Sequence, residues 1–306
     1  MASFGLIGTV TSDHIVRDEG GEFEDLGGIL YQAAVLCGLG EPVRLFSNCG
    51  RDLEPLVRET VGDWPTLDPS GLRFVPGPGN QVFLRYSEQL KEREEVLRSV
   101  VPALEPEDIL SRLGGLDALL VVFNSGYELS LSGWREVIGR ADRPIWLDVH
   151  SLVLEKRLGG HRNYAALPDW ADWISGVTYV QANRQELACL LGFPERWPVE
   201  AEIRAFAAEA FRMGVQGVFV TMGKDGVLVS TPGETTVVRA PQAEAVVDTT
   251  GCGDVFSAKA FLEIRRGAGV RDAAAAGVVL ASRAVSRAGI WATFELARES
   301  ARRPVP

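Results

Sequence analysis

The stretch VVDTTGCGDVF, Val246–Phe256, sets two carboxylates, two threonines and two glycines around one cysteine. Gly251 and Gly253 allow positive φ or close approach of a ligand to the backbone. The spacing of Val255, Ala258 and Leu262 predicts a helix beginning at about Gly253. The first N–H groups of such a helix lack intrahelical partners and lie at the positive end of its dipole, which makes the junction a candidate anion site. Asp254 falls in the first turn, where the dipole and nearby donors favour its ionised form. A carboxylate beside an anion hole can take a proton from a hydroxyl while the hole holds a transferring phosphoryl group. The same residues also read as a glycine turn leading into a capped helix, with no chemistry at all.

The elements that must position this junction alternate along the chain. Apolar runs predict strands at Phe4–Gly8, Val43–Ser47, Ala118–Phe123, Ile145–Val149, Thr178–Ala182 and Val218–Met222. Helical periodicity predicts helices near Gly28–Leu39, Asp52–Val61, Leu131–Arg140, Arg184–Leu191, Glu202–Met213, Asp254–Arg265 and Val270–Ser286. Alternation of this kind implies an α/β fold with a mostly parallel sheet between helices, and ligands beyond the carboxyl ends of the strands. Ile15–Asp25 and Phe74–Val96 interrupt the pattern; NQVFLRYS within the second predicts a strand between glycine-proline turns. Both pieces suit a small sheet outside the main layer. The charge run Glu88–Arg98 reads as a solvated face or helix, and the tail from Ala297 reads as frayed.

Composition narrows the function. The chain has 306 residues, 46% hydrophobic and 24% charged, enough for one large α/β domain or two smaller ones. No run of eighteen apolar residues occurs, which argues against a membrane span. Residues 1–10 lack a basic n-region and read as a first strand rather than a signal peptide. Cys37, Cys49, Cys189 and Cys252 are far apart with no CxxC pair, which argues against zinc and against a disulfide framework and implies a reducing cytoplasm. A net charge of −10 argues against general nucleic-acid binding but allows a small phosphorylated ligand held by local donors. MGKDG (Met222–Gly226) is not a P-loop, because Val218 and Asp225 occupy its first glycine and its Ser/Thr position.

DTTGCGD (Asp248–Asp254) resembles the DTxGAGD signature of the ribokinase-like carbohydrate kinases, the phosphofructokinase B family, with Cys252 in place of the usual alanine. Weaker strings follow in the family's order: GTVTSDHI (Gly8–Ile15), GGILYQAAVLCGLG (Gly27–Gly40), QANRQELACLLG (Gln181–Gly192) and VTMGKDG (Val220–Gly226). The resemblance covers nearly the whole chain. It implies a single three-layer α/β/α domain over 1–306, with a small β-sheet lid from about 14–25 and 75–100. It also implies ATP- and Mg²⁺-dependent phosphoryl transfer to a hydroxyl of a sugar or sugar-like molecule.

By the same resemblance, Asp254 is the catalytic base, and Gly251, Cys252 and Gly253 form the anion hole. Thr221, Gly223, Gly226 and Asn183 contact the nucleotide, and Glu186 organises Mg²⁺ through water. Asp13, Gly27, Gly28 and Gln32 contact the acceptor, and the Asp248 region resembles a monovalent-cation site such as one for K⁺. Lids of two subunits pack together in several members, so a homodimer through the lid is open. Gln32 stands where the family usually has asparagine, and His150 where many members have asparagine in an Asp-x-Asn-x-Arg string; both bear on the acceptor. Taken alone, Asn183 and Glu186 also fit a capped helix start, Asp13 a turn, and Cys252 a reactive thiol. Two other functions stay open: a nucleoside kinase, for which Phe83 and Tyr86 would supply an aromatic lid, and a non-catalytic ligand-binding relative.

Overall fold

The computed structural model describes residues 1–17, 21–86, 94–243 and 245–302. Its strands are β1 Phe4–Ile7, β2 Val10–Arg17, β3 Gly21–Gly28, β4 Val43–Gly50, β5 Leu67–Val75, β6 Asn80–Tyr86, β7 Glu94–Ser99, β8 Ala118–Val122, β9 Ile145–Asp148, β10 Tyr179–Asn183, β11 Gly217–Thr221, β12 Val227–Ser230 and β13 Thr235–Val238. The helices are α1 Leu30–Gly38, α2 Glu54–Val61, α3 Pro106–Leu110, α4 Leu131–Ala141, α5 Trp170–Ile174, α6 Arg184–Leu190, α7 Glu200–Arg212, α8 Cys252–Arg265, α9 Val270–Ala284 and α10 Ile290–Arg302.

Among the described residues, nine strands form the main sheet in the order β13-β12-β11-β10-β9-β8-β1-β4-β5. From β11 to β5 all neighbours are parallel, and β12 and β13 add antiparallel at one edge. Strands buried on both faces carry continuous apolar runs, and successive side chains divide between two cores. Leu120 and Trp146 join α1, α2 and α8–α10 on one face; Val121 and Leu147 join α3–α7 on the other. The sheet and its two helical layers thus follow from the alternation in the sequence.

An aromatic cluster seats α8. Trp146 is fully buried and stacks on Phe219 with ring centroids 4.4 Å apart. Phe261 and Phe256 of α8 close on it at 5.6 and 6.2 Å. This contact lays α8 across β9 and β11, with its N-terminus beyond the strands' carboxyl ends.

The second sheet has the order β3-β2-β6-β7, with β2 and β6 parallel and the outer pairs antiparallel. It starts at Val10, earlier than expected, because β2 and β3 pair in continuous register from Val10 opposite Gly28. Residues 18–20 and 87–93 of the expected lid lie outside the described residues. Within the charge run, Glu94–Ser99 is a strand rather than a solvated helix, since Glu95 and Leu97 alternate into a buried face.

The C-terminal tail also departs from expectation. It forms α10 as far as Arg302, with Phe294 stacked on Trp64 at 5.3 Å and Ala297 buried. Strand β5 escaped sequence reading because Pro69, Ser70 and Gly71 weaken its propensity; an edge position tolerates them.

Trp146→Ala should destabilise the fold by about 3–5 kcal/mol. An unchanged urea midpoint would refute the anchoring role given to this cluster.

Candidate active site

The turn before α8 is built locally. Asp248 Oδ1 accepts a hydrogen bond from the Thr250 N–H at 2.8 Å. Gly251 then adopts φ 75°, the left-handed region, and a Cβ there would lie 2.5 Å from the Tyr31 ring. Only glycine meets both demands without strain. Helix α8 begins at Cys252, one residue before the expected Gly253. As its first residues, Gly253 and Asp254 carry N–H groups with no intrahelical carbonyl to bind. The Cys252 N–H donates to Thr249 O at 3.3 Å, so it is already engaged within the turn.

Asp254 is buried, and carboxylates gather around it. Gln181 Nε2 donates to Asp148 Oδ2 at 2.7 Å and to Gly253 O at 3.2 Å, bracing the helix start against β9 and β10. Burial holds the Asp148 carboxyl well above the usual carboxylate range, helped by the charges of Glu186 and Asp254. The Tyr31 hydroxyl is likewise raised, by burial first and then by Asp13, Asp248, Asp25 and Asp254.

Two cavities meet at this junction. A cleft of about 520 Å³ opens over β9–β11 and is lined by Asp148, Gln181, Asn183, Glu186, Thr221 and Gly223, with Arg184 and Trp197 at its side. A smaller pocket, about 40 Å³, lies under the second sheet and is lined by Thr11, Asp13, Tyr31, Val82, Leu84 and Glu95, with Gly28, Asn124 and Thr250. His150, Gly251 and Asp254 line both. His150 has φ 41°, unusual for a residue with a side chain, and its Nδ1 lies 2.9 Å from Ser151 Oγ.

The structure thus brings Thr221, Gly223, Asn183 and Glu186 to the cleft and Asp13 and Gly28 to the pocket. Asn183 and Glu186 also form the capping box of α6. Asn183 Oδ1 accepts from the Glu186 N–H at 2.8 Å, and the Glu186 carboxylate accepts from the Asn183 N–H and Nδ2 at 2.7 Å each. Both residues stand at the cleft wall, so the local and the site reading coexist.

Four expected site residues stand elsewhere. Gln32 is fully buried in α1 and donates through Nε2 to Ser257 Oγ of α8 at 3.1 Å, so its amide ties two helices and leaves the pocket wall to Tyr31. Gly27 supports the pocket from behind; any Cβ there would overlap the Asp13 carboxylate. Gly226 closes the β11–β12 turn, where a side chain would overlap Val238 O, and its carbonyl accepts from the Met222 N–H at 2.8 Å. Cys252 lines neither cavity.

Phe83, expected as part of an aromatic acceptor site, faces away from the pocket. It stacks on His14 at 5.1 Å beneath the Arg98 guanidinium. The side chain of Tyr86 lies outside the described residues.

Sequence reasoning missed Tyr31, Asn124, Asp148, Gln181, Glu95 and Trp197. Position just after a strand could have flagged Asn124, and the end of β9 could have flagged Asp148. Glu128 was missed too. It is buried and accepts from Ser125 N, Ser125 Oγ, Gly126 N and Thr9 Oγ1 at 2.7–3.0 Å, which ties the loop after β8 to the start of β2. Burial raises its carboxyl from the usual range.

Known proteins share this fold. Residues 153–295 match the pfkB family carbohydrate kinase profile. Among solved structures, Arabidopsis thaliana ribokinase, complexed with ribose and ATP, superposes with a TM-score of 0.75 at 21% identity, covering 97% of this chain and 99% of that one. A pyrophosphate-dependent kinase in the ribokinase family superposes at 0.79 and 17% identity, covering 96% and 99%. The chain has the ribokinase fold, and its C-terminal part, residues 153–295, is similar to the pfkB family. A curated 1-phosphofructokinase of Haloferax volcanii is 36% identical over 108 residues, 35% of this chain and 34% of the relative. The chain spans less than half the length of the curated relatives it matches.

Burial, with Asp248 and Asp254 behind it, pushes the Cys252 thiol up to about 12. At pH 8 its thiolate fraction is then on the order of 10⁻⁴, so alkylation should run about a thousandfold slower than for a free thiol. The rate should climb with pH toward 12; fast iodoacetamide labelling of the native protein at pH 8 would show a reactive cysteine after all.

Proposed function

We propose that this protein transfers a phosphoryl group from ATP to a hydroxyl of a small polyhydroxylated molecule. The observation that carries the reading is the shared wall: Asp254 and Gly251 line both the large cleft and the pocket under the small sheet. A donor in one cavity and an acceptor in the other would meet at Asp254. The cleft has room for a nucleotide, and Trp197, 58% exposed at its side, offers an aromatic face to a base.

In this reading, Asp254 accepts the proton of the acceptor hydroxyl as the hydroxyl oxygen attacks the γ-phosphorus of ATP, and the bond from that phosphorus to the β,γ-bridging oxygen breaks to release ADP. The N–H groups at the start of α8, chiefly those of Gly253 and Asp254, stabilise the charge on the transferring group. The second sheet covers the acceptor and keeps water from competing with it. Gln181 holds the Gly253 carbonyl, and with it the direction of the helix start.

Magnesium fits the cleft only loosely bound by protein. Both oxygens of Glu186 serve the capping box, so a cation would meet this carboxylate through its water shell, using the remaining lone pairs. Among the described residues, no group of three or more metal-ligating side chains offers a closed cage. When bound, the metal would neutralise phosphate charge. Asp148, Asn183 and Glu186 are the residues that could hold its waters. A reducing cytoplasm suits this chemistry; among the described residues no helix is long and apolar enough to cross a membrane.

Asp254→Asn should keep ATP binding but lower turnover by about 10²–10⁴-fold. The check is ADP release from ATP and Mg²⁺ across pentoses, hexoses, cyclitols and nucleosides, with nucleotide binding measured in parallel. Normal turnover in this variant would remove Asp254 from the role of base. Excess chelator should abolish ADP release, and full activity under chelation would sink the metal assignment.

A further inference from the structure

The inner face of the small sheet has a composition that phosphoryl transfer alone does not require. Two in-register rows cross it: Asp13–Val82–Leu97 and Ile15–Leu84–Glu95. A strand's side-chain period of two puts all six on one face. The pocket side therefore reads carboxylate on β2, aliphatic floor on β6, carboxylate on β7. Asp13, Val82, Leu84 and Glu95 all line the pocket that Asp254 also lines.

Glu95 is an expensive residue at this place. It is 4% exposed, and a leucine would continue the apolar face at lower desolvation cost. A buried carboxylate needs a partner, and the fold supplies one from outside the pocket wall. Arg162 Nη1 lies 3.2 Å from Glu95 Oε1, and the Arg162 side chain has no exposed surface. Its Nη2 and Nε are held by Ser125 O and Glu155 O at 2.9 Å each, and its backbone N–H donates to Glu95 O at 3.0 Å. The guanidinium is thus committed behind Glu95 and does not line the pocket.

The remaining polar lining agrees. Thr11 Oγ1 and Asn124 Oδ1 are buried at the pocket with no hydrogen-bond partner among the described residues. Asp13, Glu95 and Asn124 bring acceptor oxygens to the pocket wall, and the hydroxyls of a ligand can donate to such oxygens. Among the described residues, no lysine or arginine lines the pocket.

We infer that Glu95 determines acceptor specificity, and that the acceptor is a polyhydroxylated compound without an anionic group. Its hydroxyls donate to Asp13 from one side and to Glu95 from the other, while its C–H face rests on Val82 and Leu84. A phosphate or carboxylate on the acceptor would face three carboxylates, those of Asp13, Glu95 and Asp254, and be repelled. The inference rests on the kinase reading for what the bound molecule becomes, but not for what the pocket binds.

Matched probes separate the two. Binding is measured by calorimetry, and phosphoryl transfer by ADP release, for ribose against ribose 5-phosphate, for glucose against gluconate and glucose 6-phosphate, and for myo-inositol. The neutral members should bind at least tenfold more tightly than their anionic partners in the wild-type protein. Tighter binding of the anionic members overturns the inference and leaves the kinase reading intact. Binding of neutral members with no transfer to any of them overturns the kinase reading and leaves this one intact.

Glu95→Gln keeps the shape of the side chain. It should raise the KM of the best acceptor roughly ten- to a hundredfold, as loss of charge-assisted hydrogen bonds does. Turnover number and the KM for ATP should stay within about twofold. Deoxy analogues should locate the contact: the penalty for losing one hydroxyl should shrink in the variant. An unchanged acceptor KM in a variant with an unchanged urea midpoint overturns the role of Glu95. The wild-type matched pairs decide the acceptor class even if the variant folds poorly.

Discussion

Gly251 sits at φ 75° with the Tyr31 ring filling the space a side chain would need, and the start of α8 depends on that fit. A side chain at this position would meet both a disfavoured backbone conformation and an aromatic ring at 2.5 Å. Either would move the helix N-terminus, and Asp254 with it. The other end of the constraint is the packing of Phe256 and Phe261 against Trp146, which fixes α8 on the sheet. Between them, a close-packed core and a single permitted backbone conformation determine where one carboxylate stands. Sites held by packed elements keep their geometry better than sites held by loops alone.

The electrostatics follow from the same economy of side chains. The chain carries a net charge of −10, and carboxylates crowd the junction. Arg184, at the cleft wall, lies 3.2 Å from Asp225 and over the Trp197 ring. Phosphate groups entering this cleft would therefore rely on the N–H groups and dipole of α8 and on a hydrated cation more than on side-chain cations. That division suits a site in which charge must be stabilised during transfer yet released afterward.

The small sheet is joined to the body by more than its four connections along the chain, β1 to β2, β3 to α1, β5 to β6 and β7 to α3. Beyond the Arg162 pair, the Gly159 N–H donates to Leu97 O at 2.9 Å, and His161 bridges to Val96. Residues 159–162 thus cover the β7 edge, which would otherwise expose unpaired backbone groups. The same segment carries the cation that makes Glu95 tolerable. Edge protection, ion pairing and pocket chemistry are served by one stretch of chain.

The sequence by itself determined the layering, because period-two and period-3.6 apolar patterns are local and each allows one element type. It also pointed to the strand-to-helix junction, since glycines beside a first-turn aspartate have local meaning wherever they occur. Asn183 and Glu186 were legible for the same reason: a capping box spans four consecutive residues. The tertiary structure decided what no local pattern contains. Gln32 left the site because Ser257, 225 residues away, receives its amide, and Tyr31 took its place on the wall. Glu95 looked like one charge among several until Arg162, 67 residues on, gave it a buried partner and a face to point from. Burial of a charge is energetically permitted only where distant parts of the chain supply its counterpart, and that counterpart cannot be read from the residue's own neighbours.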